Sequence, residues 1–145
     1  MQNQEIRILV VEDDPNDALL LQRAFRKAGV PGIDLVLPDG QEAMDYFRGQ
    51  GGYGNRTSFP LPTHLILDLK LPRVAGLELL SWIRESNEHR HLRVAILSSS
   101  GEAADQARAL ELGIDAYFVK PNRSSDLLTV VHEIGRLWSL SGARV

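Results

Sequence analysis

Apolar positions gather into five short runs along the chain: RILVV (7–11), IDLVL (33–37), HLILD (64–68), RVAILS (93–98) and AYFVK (116–120). Within each run the apolar residues are consecutive rather than alternating, which is the pattern of a strand covered on both faces. Between the runs they recur at helical spacing, so strand and helix alternate and the chain predicts βαβ units around a parallel sheet. The expected fold is α/β, a (βα)5 doubly wound sheet of five strands.

Helix boundaries carry their own signals. In EDDPNDALLLQRAF, Pro15 suits a first helical turn, Asp13 or Asp14 can cap it, and Gly29 ends it. PDGQEAMDYF places Asp39 three residues before Glu42, a capping-box pattern. VAGLELLSWIRES, EAADQARALELG and SSDLLTVVHEIGRLW supply three further helices, with Gly113 stopping the fourth. Leu19, Leu20 and Leu21 span about 200° of a helical wheel, wider than a buried stripe, so one must face outward. Alignment of the inward positions leaves Leu19 as that residue.

On the last helix Leu127, Val130, Val131, Ile134, Leu137 and Trp138 follow helical spacing. The stripe is mostly core, yet it outruns the expected sheet edge, which makes Leu137 and Trp138 candidates for a homodimer contact. Residues 49–62, GQGGYGNRTSFPLP, hold four glycines and two prolines and predict an irregular surface loop. That loop is either a plain connector or a contact surface using Tyr53 and Phe59.

Size and charge narrow the partners. A chain of 145 residues suits one domain, 1–145, with its core at about 6–140. Sixteen basic and nineteen acidic residues leave a net charge of −3, so neither nucleic acid nor an anionic membrane is an expected partner. The absence of cysteine excludes disulfides and thiolate metal sites and agrees with a cytoplasmic location. The N-terminal apolar stretch, ILVV, is too short for a signal peptide or a membrane span. His64, His89, His91 and His132 lack metal-ligand spacing and are expected on the surface or in a strand.

The candidate chemistry lies where strands end, since ligands of open parallel sheets bind beyond the carboxyl ends of the strands. Glu12, Asp13 and Asp14 follow the first strand and Asp68 closes the third. If these strands are neighbours, their carboxylates converge, and two charges about 5 Å apart at an effective dielectric of about 20 repel by about 3 kcal/mol. Such a cluster needs cations. A hard divalent ion with oxygen ligands, Mg²⁺ above all, is the natural one, and Lys120 brings a further positive charge while Ser98 brings a hydroxyl. The set is suited to phosphoryl transfer, with Asp68 as nucleophile.

The stretches VVEDD, LILDLKLP with Gly76 after it, AILSS and YFVKP place Asp13, Asp68, Ser98 and Lys120 at separations of 55, 30 and 22 residues. Together they resemble the receiver domain of two-component response regulators over about residues 6–140. The resemblance implies a CheY-like, flavodoxin-like sheet in the order 2-1-3-4-5. It implies transfer of a phosphoryl group from a phosphohistidine of a sensor histidine kinase to Asp68, with Mg²⁺ or its substitute Mn²⁺. The metal ligands would be Asp13, Asp68 and the backbone carbonyl of Lys70, with Glu12 acting through water. Ser98 and Tyr117 would form the switch pair, Lys120 would contact the phosphoryl group, and the Lys120–Pro121 bond would be cis.

The stretch VVEDDPNDALLLQRAF, the insertion before the third strand, LDLKLP and IGRLWS are similar to stand-alone regulators paired with phytochrome-type histidine kinases. Leu19, close to Asp13, is then the candidate for kinase docking. An enzyme acting on metabolites through an aspartyl phosphate, like the haloacid dehalogenases, wants a second acid two residues after its nucleophile, where this chain has Lys70. Only 25 residues follow Lys120, so output is expected through a downstream protein or a phosphotransfer protein.

Overall fold

The computed structural model describes residues 5–140, in which five strands and five helices alternate. They are β1 (Ile8–Val11), α1 (Pro15–Ala28), β2 (Leu35–Leu37), α2 (Gly40–Arg48), β3 (His64–Leu67), α3 (Gly76–Glu85), β4 (Arg93–Ser98), α4 (Ala103–Glu111), β5 (Ala116–Val119) and α5 (Ser124–Leu137). The sheet is parallel throughout and runs β2-β1-β3-β4-β5, the order the receiver-domain resemblance implies. From β1 the chain steps outward to β2 and then back across to β3. Strand order therefore reverses at β1 and β3, and their carboxyl ends open the crevice such folds use for ligands.

Alternate strand residues feed two cores. Leu9, Val11, Leu65, Leu67, Val94 and Ile96 face α2, α3 and α4. Ile8, Val10, Ile66, Ala95 and Leu97 face α1 and α5. This two-sided burial is why the runs read as continuous. The last run breaks the rule: β5 is the sheet's edge, with Ala116, Tyr117 and Phe118 half-buried and Val119 46% exposed. Strand β2 begins later than expected because Asp34 turns its side chain toward β1, where Oδ2 accepts from the Ile8 N–H at 2.7 Å.

The helix caps are local. Asp14, not Asp13, caps α1, accepting from the N–H of Asn16 (2.8 Å) and Asp17 (3.4 Å), and Gly29 ends it at φ 72°. Asp39 caps α2 through the Glu42 N–H at 2.8 Å. The reciprocal half of the expected capping box is replaced, since the Glu42 carboxylate accepts from the Tyr53 hydroxyl. The 49–62 loop is thereby folded against α2. Tyr53 and Phe59 stack edge-on to Tyr46 at 5.1 and 6.4 Å. Arg56 donates to the carbonyls of Tyr46 (2.8 Å), Phe47 (2.8 Å) and Phe59 (3.2 Å). The aromatics serve packing rather than a free contact surface.

Three expectations are corrected. Trp138 is 5% exposed: it lies on the α5 stripe with Leu127, Val131 and Ile134, packs 4.6 Å from the His64 ring and donates its indole N–H to Asp115 at 2.9 Å. It is core, whereas Leu137, one residue off that stripe, is 39% exposed. Outward-facing leucines on α1 number two, Leu19 at 42% and Leu20 at 38%, because Ala18, Leu21, Ala24 and Phe25 already fill the inward stripe. His89 is buried rather than superficial, seated 5.0 Å from the Phe47 ring, with burial holding its imidazole below the ordinary 6.5.

Candidate functional site

The acids arrive together because β1 and β3 are adjacent and in register, Val11 opposite Leu67. Each strand then delivers its next residues to the same edge: Glu12 and Asp13 from β1, Asp68 from β3. One oxygen from each lies within 4.8 Å of the others. Glu12 and Asp68 are 7% and 3% exposed, while Asp13 faces solvent. Gly76 lets α3 begin against this turn, since a Cβ there would stand 2.4 Å from the Asp68 carbonyl oxygen. The helix start thus pins the backbone that carries Asp68, and the Gly76 N–H donates to Leu69 O at 3.0 Å.

Lys120 leaves the end of β5 and reaches across the crevice. Its Nζ lies 2.7 Å from Glu12 Oε1, 2.9 Å from Asp68 Oδ2 and 2.9 Å from Asp17 Oδ2. Burial alone would lower the ammonium's pKa, but hydrogen bonds to Glu12, Asp68 and Asp17 outweigh it and push it up. Burial pushes the Glu12 carboxyl up to about 7 against the opposing hydrogen bonds from Lys120 and the Asp14 N–H. Three carboxylates contact one ammonium and Asp13 adds a fourth acid to the cluster, an unbalanced charge that favours a further cation. The donors are all hard oxygens, two of them held on buried stems, and this fits a divalent metal ion. Glu12, Asp13 and Asp68 are the side chains able to hold it.

Around this cluster lies a second layer of contacts. Ser98 is fully buried at the end of β4, its Oγ accepting from the Ser100 N–H at 3.3 Å. The Ser100 hydroxyl donates to Asp105 on α4 at 2.6 Å, and Tyr117 donates its hydroxyl to the Ser100 carbonyl at 2.7 Å. Lys70 follows Asp68 with its backbone N–H donating to Asp68 Oδ1 at 3.1 Å, while its ammonium stands 4.0 Å from Asp105. The β4–α4 turn is thus tied both to β5 and to the turn carrying Asp68.

Among the sequence-derived positions, the structure brings Glu12, Asp13, Asp68 and Lys120 into one cluster and sets Ser98 on the strand beside Asp68. Tyr117 reaches the turn after Ser98. Leu19 is exposed on α1, as expected. The Lys120–Pro121 expectation is overturned: no peptide bond among the described residues is cis. The trans form is the lower-energy isomer of an X–Pro bond by about 0.5–1 kcal/mol, and in it the Lys120 N–H still donates to Ser98 O at 2.8 Å. Asp17 escaped the sequence reading although a signal was present. It precedes Leu21 by four residues and Ala24 by seven, which puts it on the inward stripe of α1.

Comparisons with known proteins agree with this geometry. The family described as "Response regulator receiver domain" matches residues 8–132. A curated relative, the probable methanogenesis regulatory protein FilR2 of Methanothrix harundinacea, is 39% identical over 131 residues, 90% of this chain and 82% of that protein. Response regulator Rcp1 of Synechocystis is 31% identical over 90% of this chain and 87% of its own. Its Mn²⁺-bound crystal structure superposes with a TM-score of 0.83 at 30% identity, covering 97% of this chain and 99% of that one. The phosphorylated cyanobacterial phytochrome response regulator RcpA gives a TM-score of 0.84 at 33% identity, over 97% and 98% of the two chains. With the sheet order, the acid cluster and the lysine in place, this chain belongs to the response regulator receiver domain family.

Proposed function

We propose that this chain is a phosphorylation-driven switch, with Asp68 as the residue that accepts the phosphoryl group. The observation that carries the reading is the convergence of Glu12, Asp13 and Asp68 within 4.8 Å, with the Lys120 ammonium 2.9 Å from the Asp68 oxygen. An Asp68 oxygen attacks phosphorus in line. The new O–P bond forms as the P–N bond to the kinase histidine breaks, and the bonding pair stays with the imidazole nitrogen. Lys120 then pairs with a phosphoryl oxygen and Ser98 donates to another.

Mg²⁺, with Mn²⁺ as a substitute, is the proposed cofactor. Asp13, Asp68 and the carbonyl of Lys70 would hold it directly and Glu12 through water. Bound there, it supplies charge neutralisation at the transferring group. The Mn²⁺-bound form of Rcp1 supports a divalent metal ion as the cofactor. Once Asp68 carries the new anion, Ser98 and Lys120 are drawn onto it. Tyr117 turns inward and the β4–α4–β5 edge changes shape. Moving that equilibrium from 1:99 to 99:1 takes about 5.5 kcal/mol, within reach of a few charge-assisted hydrogen bonds.

The partner on the input side is a sensor histidine kinase, of phytochrome type by the likeness to RcpA and Rcp1. Leu19, 42% exposed on α1, is the proposed point of kinase docking. Output passes to a downstream protein or a phosphotransfer protein, and the chain turns over no metabolite. These partners place it in the cytoplasm, where a homodimer would use Leu137 without Trp138. No helix of the described residues is long and apolar enough to cross a membrane. Transfer from a radiolabelled phytochrome-type kinase is the test. Label should move to the wild type with Mg²⁺ and stay on the kinase with chelator, while Leu19→Glu should accept at least about tenfold more slowly, about 1.4 kcal/mol. Equal transfer with chelator removes the metal from the reading, and equal rates for Leu19→Glu remove the docking role.

A further inference from the structure

We infer that Asp17 is a positioning residue for Lys120, an inference that rests on the phosphoacceptor reading above. An ammonium has three N–H donors, and here Glu12, Asp17 and Asp68 stand at 2.7, 2.9 and 2.9 Å to receive them. Two of those partners have other duties. Glu12 and Asp68 belong to the acid cluster, so an incoming cation competes with the lysine for their oxygens, and the phosphoryl group occupies Asp68 itself. Asp17 lies outside that cluster. It is the partner that neither the cation nor the phosphoryl group claims.

Its backbone suits the task. Asp17 sits in the first turn of α1, fixed by the Asp14 cap, whereas Lys120 lies 103 residues further on, where β5 gives way to the turn before α5. The pair therefore ties a rigid helix start to the end of the edge strand. When Glu12 and Asp68 exchange partners, the Asp17 carboxylate keeps Nζ within reach of the arriving phosphoryl oxygen instead of letting a flexible four-carbon stem swing into solvent. Asp17 touches no reacting atom and acts through the lysine. Its side chain is 39% exposed and does not form the helix cap, so a neutral replacement leaves α1 intact.

Phosphorylation by acetyl phosphate at saturating Mg²⁺ is followed for the wild type, Asp17→Asn, Asp17→Glu, Lys120→Met and the Asp17→Asn/Lys120→Met double variant. Asp17→Asn should be slowed about tenfold, equivalent to about 1.4 kcal/mol, with Asp17→Glu recovering part of the loss. The double variant should match Lys120→Met within about twofold, because a residue acting through the lysine has no effect once the lysine is gone. Wild-type rates for Asp17→Asn overturn the inference, as does an equal fractional slowing in the Lys120→Met background, which would mark a general charge effect.

A second readout needs no phosphoryl transfer. In metal-free protein labelled with nitrogen-15 lysine, the Lys120 ammonium should give a sharp cross-peak in the wild type that Asp17→Asn broadens. An unchanged peak overturns the inference whether or not Asp68 is phosphorylated. Absence of phosphorylation in the wild type itself defeats the phosphoacceptor reading instead.

Discussion

Helices α3 and α4 pack on the same face of the sheet, yet they are seated very differently. In α3, Leu79, Leu80 and Ile83 are fully buried and Gly76 is pressed against the Asp68 turn. In α4 only Ala109 is buried, Leu110 is 64% exposed, and neighbouring β5 is half open to solvent. The acids of the site stand on the well-seated part of the molecule, whereas the turn after Ser98 and Tyr117 stand on the lightly held part. Local stability follows buried apolar contact. A charge arriving at Asp68 therefore meets a firm support on one side and, on the other, an edge that little packing opposes.

What α4 lacks in packing it partly recovers through polar ties. Arg84 of α3 donates to the carbonyls of Leu112 (2.7 Å), Gly113 (2.8 Å), Arg90 (2.8 Å) and Leu92 (2.8 Å), fastening the end of α4 to the turn before β4. At the other end of α4, Asp105 accepts from Ser100 at 2.6 Å. Such ties are directional and can be exchanged for others without repacking a core. That distinguishes a movable edge from an unfolded one.

The largest test of the contrast is a paired truncation. Ile83→Ala on the seated helix should lose about 2–5 kcal/mol, whereas Leu110→Ala on the exposed one should stay within about 0.5 kcal/mol of the wild type. Urea unfolding measures both, and comparable losses would dissolve the distinction. Next in size, Arg84→Ala should lose about 1.5–3 kcal/mol as the half-buried carbonyls lose a charged donor. Its amide exchange should quicken first near Leu112 and Gly113, and uniform quickening would show that Arg84 is not a strap for α4.

The smallest effect concerns pH and the seated side alone. Burial keeps the His89 imidazole below 6.5, and the facing groups are Glu88, which raises it, and Arg56, which lowers it. The unfolded chain takes up the proton first, so the stability His89 contributes is complete above 6.5 and is lost as pH falls below it. Glu12, raised to about 7, has the opposite sign: its contribution is present below 4.5 and lost as pH rises through about 7. The difference between the wild type and His89→Phe is therefore the readout. Between about pH 8 and about pH 5.5, on either side of the ordinary imidazole value, the wild type's urea midpoint should fall relative to that of the variant. A constant difference would mean that the buried ring does not titrate with folding.

The same contrast explains what could be read from residue order. Continuous apolar runs such as LVV at 9–11 and LIL at 65–67 give away their strands because both faces are covered, and adjacency of those strands places Glu12, Asp13 and Asp68 together. The edge strand reads the same in sequence, since AYFV carries no mark of its missing cover. Trp138 was misread because exposure at a helix end depends on what lies beneath it, here His64 and Asp115, brought there by the fold and not by neighbouring residues. The inward spacing of Asp17 on α1 shows in the sequence, but the lysine that gives it a role lies 103 residues away. The packed 49–62 loop belongs to the same class, because Arg56 caps α2 carbonyls that no short-range pattern associates with it.

Everything in the proposed switch depends on Asp68 taking up phosphorus. Intact mass after incubation with Mg²⁺ and acetyl phosphate tests it most directly. The wild type should gain one phosphoryl group and Asp68→Ala none, with chelator abolishing the gain. Equal modification of the Asp68→Ala variant, or none of the wild type, would contradict it.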